Sequence, residues 1–303
     1  MTVSKHLVLH AYRSSGLEFE RLAALVEDYA PDVRTFVLRD RRSYLRLLRI
    51  ASRPTLLFSP TQLKRLRLLR GAVCQGLRLS KAEELAALDA AGAPVPRWFL
   101  LDSDRDVTNA ARDLGRYVVL KPNVACRGAL VRIARAGRVR WKPEYAAYDG
   151  LIAQEFVYTG HWPVAYRVTT LFGEVLFCAR VEASRERTPL EGRWEWRGNG
   201  KSVVANARDG TWILDDDEEI LEAGRAAARA FPDIGLLGVD VVRDQETGQC
   251  GVIEVNAAGH TWHFTSPVGR QFQQENDIDF ESQFDGVRLA ARVLAEQTRR
   301  RAT

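Results

Sequence analysis

Residues 251–256, GVIEVN, carry an acid, Glu254, and an amide, Asn256, two apart in an otherwise apolar run. Side chains alternate faces along a strand, so both oxygens point the same way while Ile253 and Val255 face the core. The preceding run LGVDVV places Asp240 on a neighbouring strand, joined to the first by the turn QETGQ. A cross-strand arrangement of Asp240, Glu254 and Asn256 gives three hard oxygen donors. That set suits Mg²⁺ shared with substrate phosphates better than an all-protein metal cage. Upstream, YVVLKP ends a strand with Lys121 inside an apolar run, and the loop NVACRGA follows. A lysine there can reach over a phosphate chain while loop N–H groups close above it, with Lys81 as a second such cation. IAQEFV then offers an acid, Glu155, and the backbone of Phe156 and Val157 at a strand end, an edge that adenine can pair with.

The elements that must position these groups are legible in outline. KHLVLHAY (5–12), VRTFVL (33–38), PTLLFSP (54–60) and GAVCQG (71–76) read as strands, with a helix over 18–30 between the first two. This predicts a small open α/β unit. No G-x-G-x-x-G follows its first strand, which disfavours a dinucleotide site there. In LSKAEELAALDAAGAPVP (79–96), Ser80 and Glu83 have capping-box spacing and Gly92 is a stop. RYVVLKP (116–122), GALVRIA (128–134), RVRWK (138–142) and GLIAQEFV (150–157) predict an antiparallel meander. AYRVTTLFGEVLFCARVEA (165–183) predicts a hairpin turning at Phe172–Gly173–Glu174; helices are expected over 215–230 and 284–300.

In this order the motifs resemble the ATP-grasp superfamily, in the branch with glutathione synthetase, ribosomal-protein glutamate ligases and D-alanine–D-alanine ligase. The resemblance covers roughly residues 71–260: SK (80–81) and VVLKP match the two nucleotide lysines, and QEFV matches the adenine hinge. YRV and FCARVEA match the strands bearing the family's arginines, here Arg167 and Arg180, and WRGN matches the pair approaching the transferring phosphate, here Arg197 and Asn199. GVDVV and IEVN match the metal strands. The resemblance implies an α/β (α+β) ATP-grasp fold: an N-terminal unit over 1–78, a central lid subdomain over 79–155 and a C-terminal subdomain over 156–303 with the metal and phosphate site. It implies ATP with one or two Mg²⁺ ions, Mn²⁺ being an alternative, and an ADP-forming carboxylate–amine ligase working through an acyl phosphate. Arg180, Arg197 and Asn199 would be catalytic. Lys81, Lys121, Gln154, Glu155, Phe156 and Val157 would hold nucleotide, and Asp240, Glu254 and Asn256 metal. Arg167, His260 and Trp262 would bind an amino acid or peptide substrate. Phosphate or His260 would take the amine's proton; dimers are common among relatives, which leaves a homodimer open.

Three departures stand out. The lid loop has one glycine where the family has several, and the ribose acid is missing near Ala165, leaving His161 as the nearby polar side chain. AAGHTWHF replaces the family's proline–glycine turn after Asn256. His260 and His263 form H-x-x-H without a third ligand at suitable spacing and are read as packing or substrate contacts rather than zinc ligands.

Composition bounds the remainder. The 303 residues hold 44 Lys and Arg against 39 Asp and Glu, a net charge of +5, and no apolar run approaches the roughly 20 residues of a bilayer span. The four cysteines make no C-x-x-C pair, so a cytoplasmic, disulfide-free protein without a membrane anchor is expected. Between residues 34 and 81, thirteen arginines and lysines face one acid, Asp40. Such a stretch is either a solvated face or a surface for an anionic partner. Two alternatives therefore stand beside the ligase: an ATP-grasp kinase acting on a small molecule, and an ATP-binding module docking RNA or an acidic partner through residues 34–81.

Overall fold

The computed structural model describes residues 5–11, 16–39, 50, 52–63, 68–124, 131–187, 210–257, 262, 264 and 267–303. Three sheets organise them. In the first, β1 (Lys5–His10), β2 (Val33–Leu38), β3 (Thr55–Ser59) and β4 (Gly71–Gln75) run parallel in the order β2-β1-β3-β4, with helix α1 (Gly16–Tyr29) crossing between β1 and β2. Gly71 opens β4 at φ +117°, where a Cβ would sit 1.8 Å from the Thr55 carbonyl oxygen, so only glycine fits.

Helix α2 (Lys81–Ala90) leads into the second sheet. Ser80 caps it in a complete capping box with Glu83, and Gly92 leaves it at φ +71°. The second sheet is antiparallel, with β5 (Trp98–Leu101), β8 (Leu151–Glu155), β6 (Tyr117–Pro122) and β7 (Arg132–Arg135) in that order. It differs from the expected meander in two respects. β8 inserts between β5 and β6, because the four-residue WFLL run, too short to stand out, forms an edge strand. RVRWK is not a strand: a 3₁₀ turn covers Ala136–Arg138, Val139 is buried in the core under helix α3 (Asp104–Asp113), and Trp141 packs edge-on against Tyr145. The alternation there serves packing rather than pairing. α3 itself buries only Val107 and Ala110, too few apolar positions to show a stripe in DRDVTNAARD.

The third sheet is antiparallel, in the order β11-β10-β9-β12-β13, from β9 (Val164–Leu171), β10 (Glu174–Ala183), β11 (Gly210–Leu214), β12 (Leu236–Arg243) and β13 (Cys250–Asn256). Phe172 and Gly173, both at positive φ, make the two-residue turn between β9 and β10. Helix α4 (Glu218–Arg229) covers one face, burying Ile220, Ala223 and Ala227 against Val168, Cys178, Val239 and Val255. The other face shares a core with the parallel sheet. Leu7, Leu9 and Phe58 from that sheet meet Phe177, Ala179 and Leu236, with small residues Ala290, Ala291 and Ala295 of helix α7 (Gly286–Arg301) wedged among them. Helices α5 (Pro267–Asn276) and α6 (Phe280–Phe284) close the end of this core, where Phe280 stacks on Phe177 at 4.0 Å between centroids. Each such buried side chain contributes roughly 1.5–3 kcal/mol. Among the described residues no helix is long and apolar enough to cross a membrane.

Candidate functional site

The β12–β13 hairpin pairs Asp240 with Glu254 and Gly238 with Asn256, which puts the three oxygen-bearing side chains on one face. The register shifts between Asp240 and Val241, leaving Ile253 as an extra residue of β13. This bulge changes one expectation. Val255 buries against α4, but Ile253 turns to the core shared with the parallel sheet. On the other side of β12, Arg167 lies opposite Asp240 and grips it twice, Nε to Oδ1 at 2.5 Å and Nη2 to Oδ2 at 3.1 Å. Asn256 Nδ2 donates to Asp240 Oδ2 at 3.2 Å. Burial pushes the Asp240 carboxyl above its ordinary value, with Arg167 working against it. Burial also opposes ionisation of Glu254, but the nearby Lys81 and Lys121 charges outweigh it and hold that carboxyl below the ordinary range.

Both lysines arrive from other elements. Lys81, first residue of α2, places Nζ 3.0 Å from Glu254 Oε1. Burial alone would lower its pKa, yet Glu254 and Glu84 raise it. Lys121, at the end of β6, is buried; its Nζ donates to Gln154 Oε1 at 2.7 Å and to the Ile253 carbonyl at 3.0 Å. Burial brings its pKa down to about 8. Glu84 is a buried member of this cluster that the sequence motifs did not single out. It accepts the Val255 N–H, and burial, seconded by the Glu254 charge, lifts its carboxyl to about 8. A signal existed: positions 81, 84, 85 and 88 recur on one face of α2, and Glu84 shares it with buried Leu85 and Leu88.

The side of the second sheet that carries Lys121 follows from alternation. Lys121 and Val119 lie directly opposite Ile152 and Gln154, and Ile133 and Phe156 join Val119 in a small apolar cluster. Lys121 can only donate, so the Gln154 oxygen faces it and the amide nitrogen is the other end. That Nε2 is buried and has no hydrogen-bond partner among the described residues. A buried donor of this kind matches a ligand acceptor. Phe156 packs edge-on against Tyr117, with the Arg187 guanidinium 5.1 Å over its ring. Burial lowers the Arg187 pKa to about 10. Glu155 turns its carboxylate outward to Arg97, accepting from Nη2 at 2.6 Å and Nε at 3.0 Å.

Other expected site residues lie elsewhere. Arg180 shares the face of Cys178, toward α4, whereas Arg167 lies opposite Ala179 on the Asp240 face. The sheet therefore stands between Arg180 and the carboxylates; Arg180 pairs instead with Glu182 at 3.1 Å and approaches Asp215 at 4.0 Å. Trp262 is buried between Phe19 and Phe264, and its indole N–H donates to Glu18 of α1. Arg197, Asn199 and His260 lie outside the described residues. Within the basic stretch, Arg39 pairs with Glu20 and Arg34 lies over Phe36. Among the described residues no three His, Cys, Asp or Glu side chains gather as a metal cage.

Three sheets with paired lysines and a carboxylate–amide face between two of them define the class. The model of the ATP-grasp domain matches residues 79–261, and the chain belongs to that family. It is 32% identical over 219 residues to D-alanine–D-alanine ligase B of Xanthomonas campestris pv. campestris, a stretch covering 68% of this chain and 61% of that protein. The chain spans between 30% and 65% of the length of the curated relatives it matches. Among solved structures it superposes on the ATP-grasp ligase PsnB complexed with precursor peptide PsnA2 and AMPPNP (TM-score 0.56, 15% identity, 98% of each chain). It also superposes on a Chryseobacterium gregarium RiPP-associated ATP-grasp ligase in complex with ADP and a leader and core peptide (TM-score 0.55, 11% identity, 97% of each chain). These superpositions show the fold.

Proposed function

We propose that this protein is an ATP-dependent, ADP-forming carboxylate–amine ligase acting on an amino acid or peptide, with units over 1–78, 79–155 and 156–303. The observation that carries the reading is the convergence of Lys81, Lys121 and the buried Gln154 amide on the face that bears Asp240, Glu254 and Asn256. The donor set fits Mg²⁺, and the ion pair of Glu254 with the Lys81 ammonium at 3.0 Å supports an ionised carboxylate on this face. Asp240, Glu254 and Asn256 would hold the metal, and with ATP it would supply neutralisation of phosphate charge.

The chain's own residues supply the remainder. Lys121 and Lys81 hold phosphate oxygens by charge-assisted hydrogen bonds. The Gln154 N–H meets a base acceptor, while the apolar surface of Val119, Ile133 and Phe156 receives the ring. Arg167 holds Asp240 in one orientation through its two-pronged contact, so that the carboxylate keeps its place as charge moves nearby. Positioning and charge neutralisation are what phosphoryl transfer to a carboxylate requires, and the amine then displaces phosphate from the acyl phosphate.

The test is ADP and phosphate release from ATP and Mg²⁺ with pooled amino acids, then short peptides, in the presence of hydroxylamine. A Glu254→Ala, Asn256→Ala double variant runs alongside. Hydroxamate formed by the wild type and lost in the double variant supports the ligase. ADP without hydroxamate points to phosphorylation of a hydroxyl, and absence of ATP binding refutes the reading.

A further inference from the structure

β13 is the edge strand of its sheet, so one side of its main chain faces away from β12. Edge N–H and C=O groups need partners when buried. Three of them, and the Ala257 carbonyl just past the strand's end, find partners outside the sheet. Val252 N–H donates to the Pro94 carbonyl at 2.6 Å, and the Ala257 carbonyl accepts from Leu77 N–H at 2.8 Å. The two between them are met by side chains instead: the Ile253 carbonyl accepts from Lys121 Nζ, and Val255 N–H donates to Glu84 Oε1. Residues 253 and 255 flank Glu254. The strand is therefore held by side chains on either side of its key carboxylate, at the bulge where the β12 ladder slips by a residue.

We propose that Glu84 is a positioning residue for the metal strand: by accepting the Val255 N–H it fixes where Glu254 and Asn256 stand, and so sets how tightly the protein holds a divalent cation with ATP. The inference rests on the ATP-and-metal reading above. Its geometry is that of a brace. Glu84 and Lys81 lie three residues apart on the same face of α2, so one helix holds both the Glu254 side chain, through Lys81, and the main chain just beyond it, through Glu84. α2 is itself tied to the segment after β6, because Lys81 N–H donates to the Asn123 carbonyl at 3.0 Å and Ala82 N–H to Asn123 Oδ1 at 2.9 Å. The bulge residue Ile253 has no cross-strand partner, and Lys121 holds its carbonyl; the ladder resumes at Glu254 and Val255, and Glu84 holds Val255 there, so the two outside contacts together set the direction of the strand as it leaves the bulge. The residue's burial fits a group enclosed between α2 and β13 rather than a solvated helix acid.

The experiment is a titration of the 303-residue chain with Mn²⁺ and the ATP analogue adenylyl-imidodiphosphate, read by the electron paramagnetic resonance signal of free Mn²⁺. Wild type, Glu84→Gln and Glu84→Leu are compared, with circular dichroism and Tm for each. Glutamine keeps a carbonyl acceptor for Val255 N–H and is expected to hold Mn²⁺ within about threefold of the wild type, whereas leucine removes the acceptor and is expected to weaken Mn²⁺ binding roughly tenfold or more. Folded Glu84→Leu protein with wild-type Mn²⁺ affinity overturns the inference, as does a glutamine variant as impaired as leucine. If Glu84→Leu does not fold, Glu84→Ala takes its place; failure of both to fold assigns Glu84 to folding alone and also overturns it. A wild type that binds no Mn²⁺ with the analogue refutes the ATP-and-metal reading itself, and this inference with it.

Discussion

Replacing Lys121 with methionine separates what the lysine costs the fold from the nucleotide contact proposed for it. Its side chain is buried at 6% exposure, and burial brings its pKa from 10.5 to about 8. At roughly 1.4 kcal/mol per factor of ten, keeping the ammonium charged at neutral pH costs about 3 kcal/mol relative to the unfolded chain. Against this stand its hydrogen bonds to Gln154 Oε1 and the Ile253 carbonyl; losing them leaves two buried acceptors unmet, at roughly 1–3 kcal/mol each. Methionine fills a similar volume without charge, so the effects largely offset, and urea denaturation is expected to show a change below about 3 kcal/mol. ATP affinity is expected to fall by more, roughly 10- to 150-fold in Kd, the range for one charge-assisted contact of about 1.5–3 kcal/mol. The pH dependence supplies a further check. Between about 8 and 10.5 the folded protein binds fewer protons at this site than the unfolded chain does, so the Lys121 contribution makes stability rise as pH climbs through that window. Lys121→Met should lack that contribution. A variant that binds ATP as tightly as the wild type, or whose pH profile there matches the wild type's, refutes the role argued for this lysine.

Two further outcomes follow from the same geometry. Arg180→Ala, on the α4 side of the sheet with partially exposed partners, is expected to change ADP release less than about threefold and stability by less than about 1 kcal/mol. A loss of ADP release above about 100-fold would return Arg180 to the reaction centre. Gly71→Ala drives a Cβ onto the Thr55 carbonyl oxygen at a φ that L-residues avoid, and is expected to lower stability by roughly 2–4 kcal/mol. An unchanged urea midpoint would contradict the backbone conformation at the start of β4.

Much of the site's layout is written in local pattern. The two-residue spacing of Glu254 and Asn256 sets them on one face of any strand, and the short turn to the Asp240 strand lets one hairpin bring all three side chains together. Ser80 and Glu83 announce the start of α2 because a capping box needs only neighbours. The rest depended on contacts between distant segments. Glu84 belongs to the site because α2 docks on β13, 171 residues away from it in sequence, and helical periodicity alone does not say which acid meets a main-chain N–H. Which of Arg167 and Arg180 faces the carboxylates was settled by strand register, with a bulge near Val175 and Phe177, since a shift of one residue exchanges the two faces of a strand. RVRWK alternates like a strand, yet burial of Val139 under α3 made it a packed loop. Periodicity and capping are properties of adjacent residues and can be read along the chain; register, bulges and the docking of one helix on an edge strand are fixed by the packing of segments that the order of residues does not place side by side.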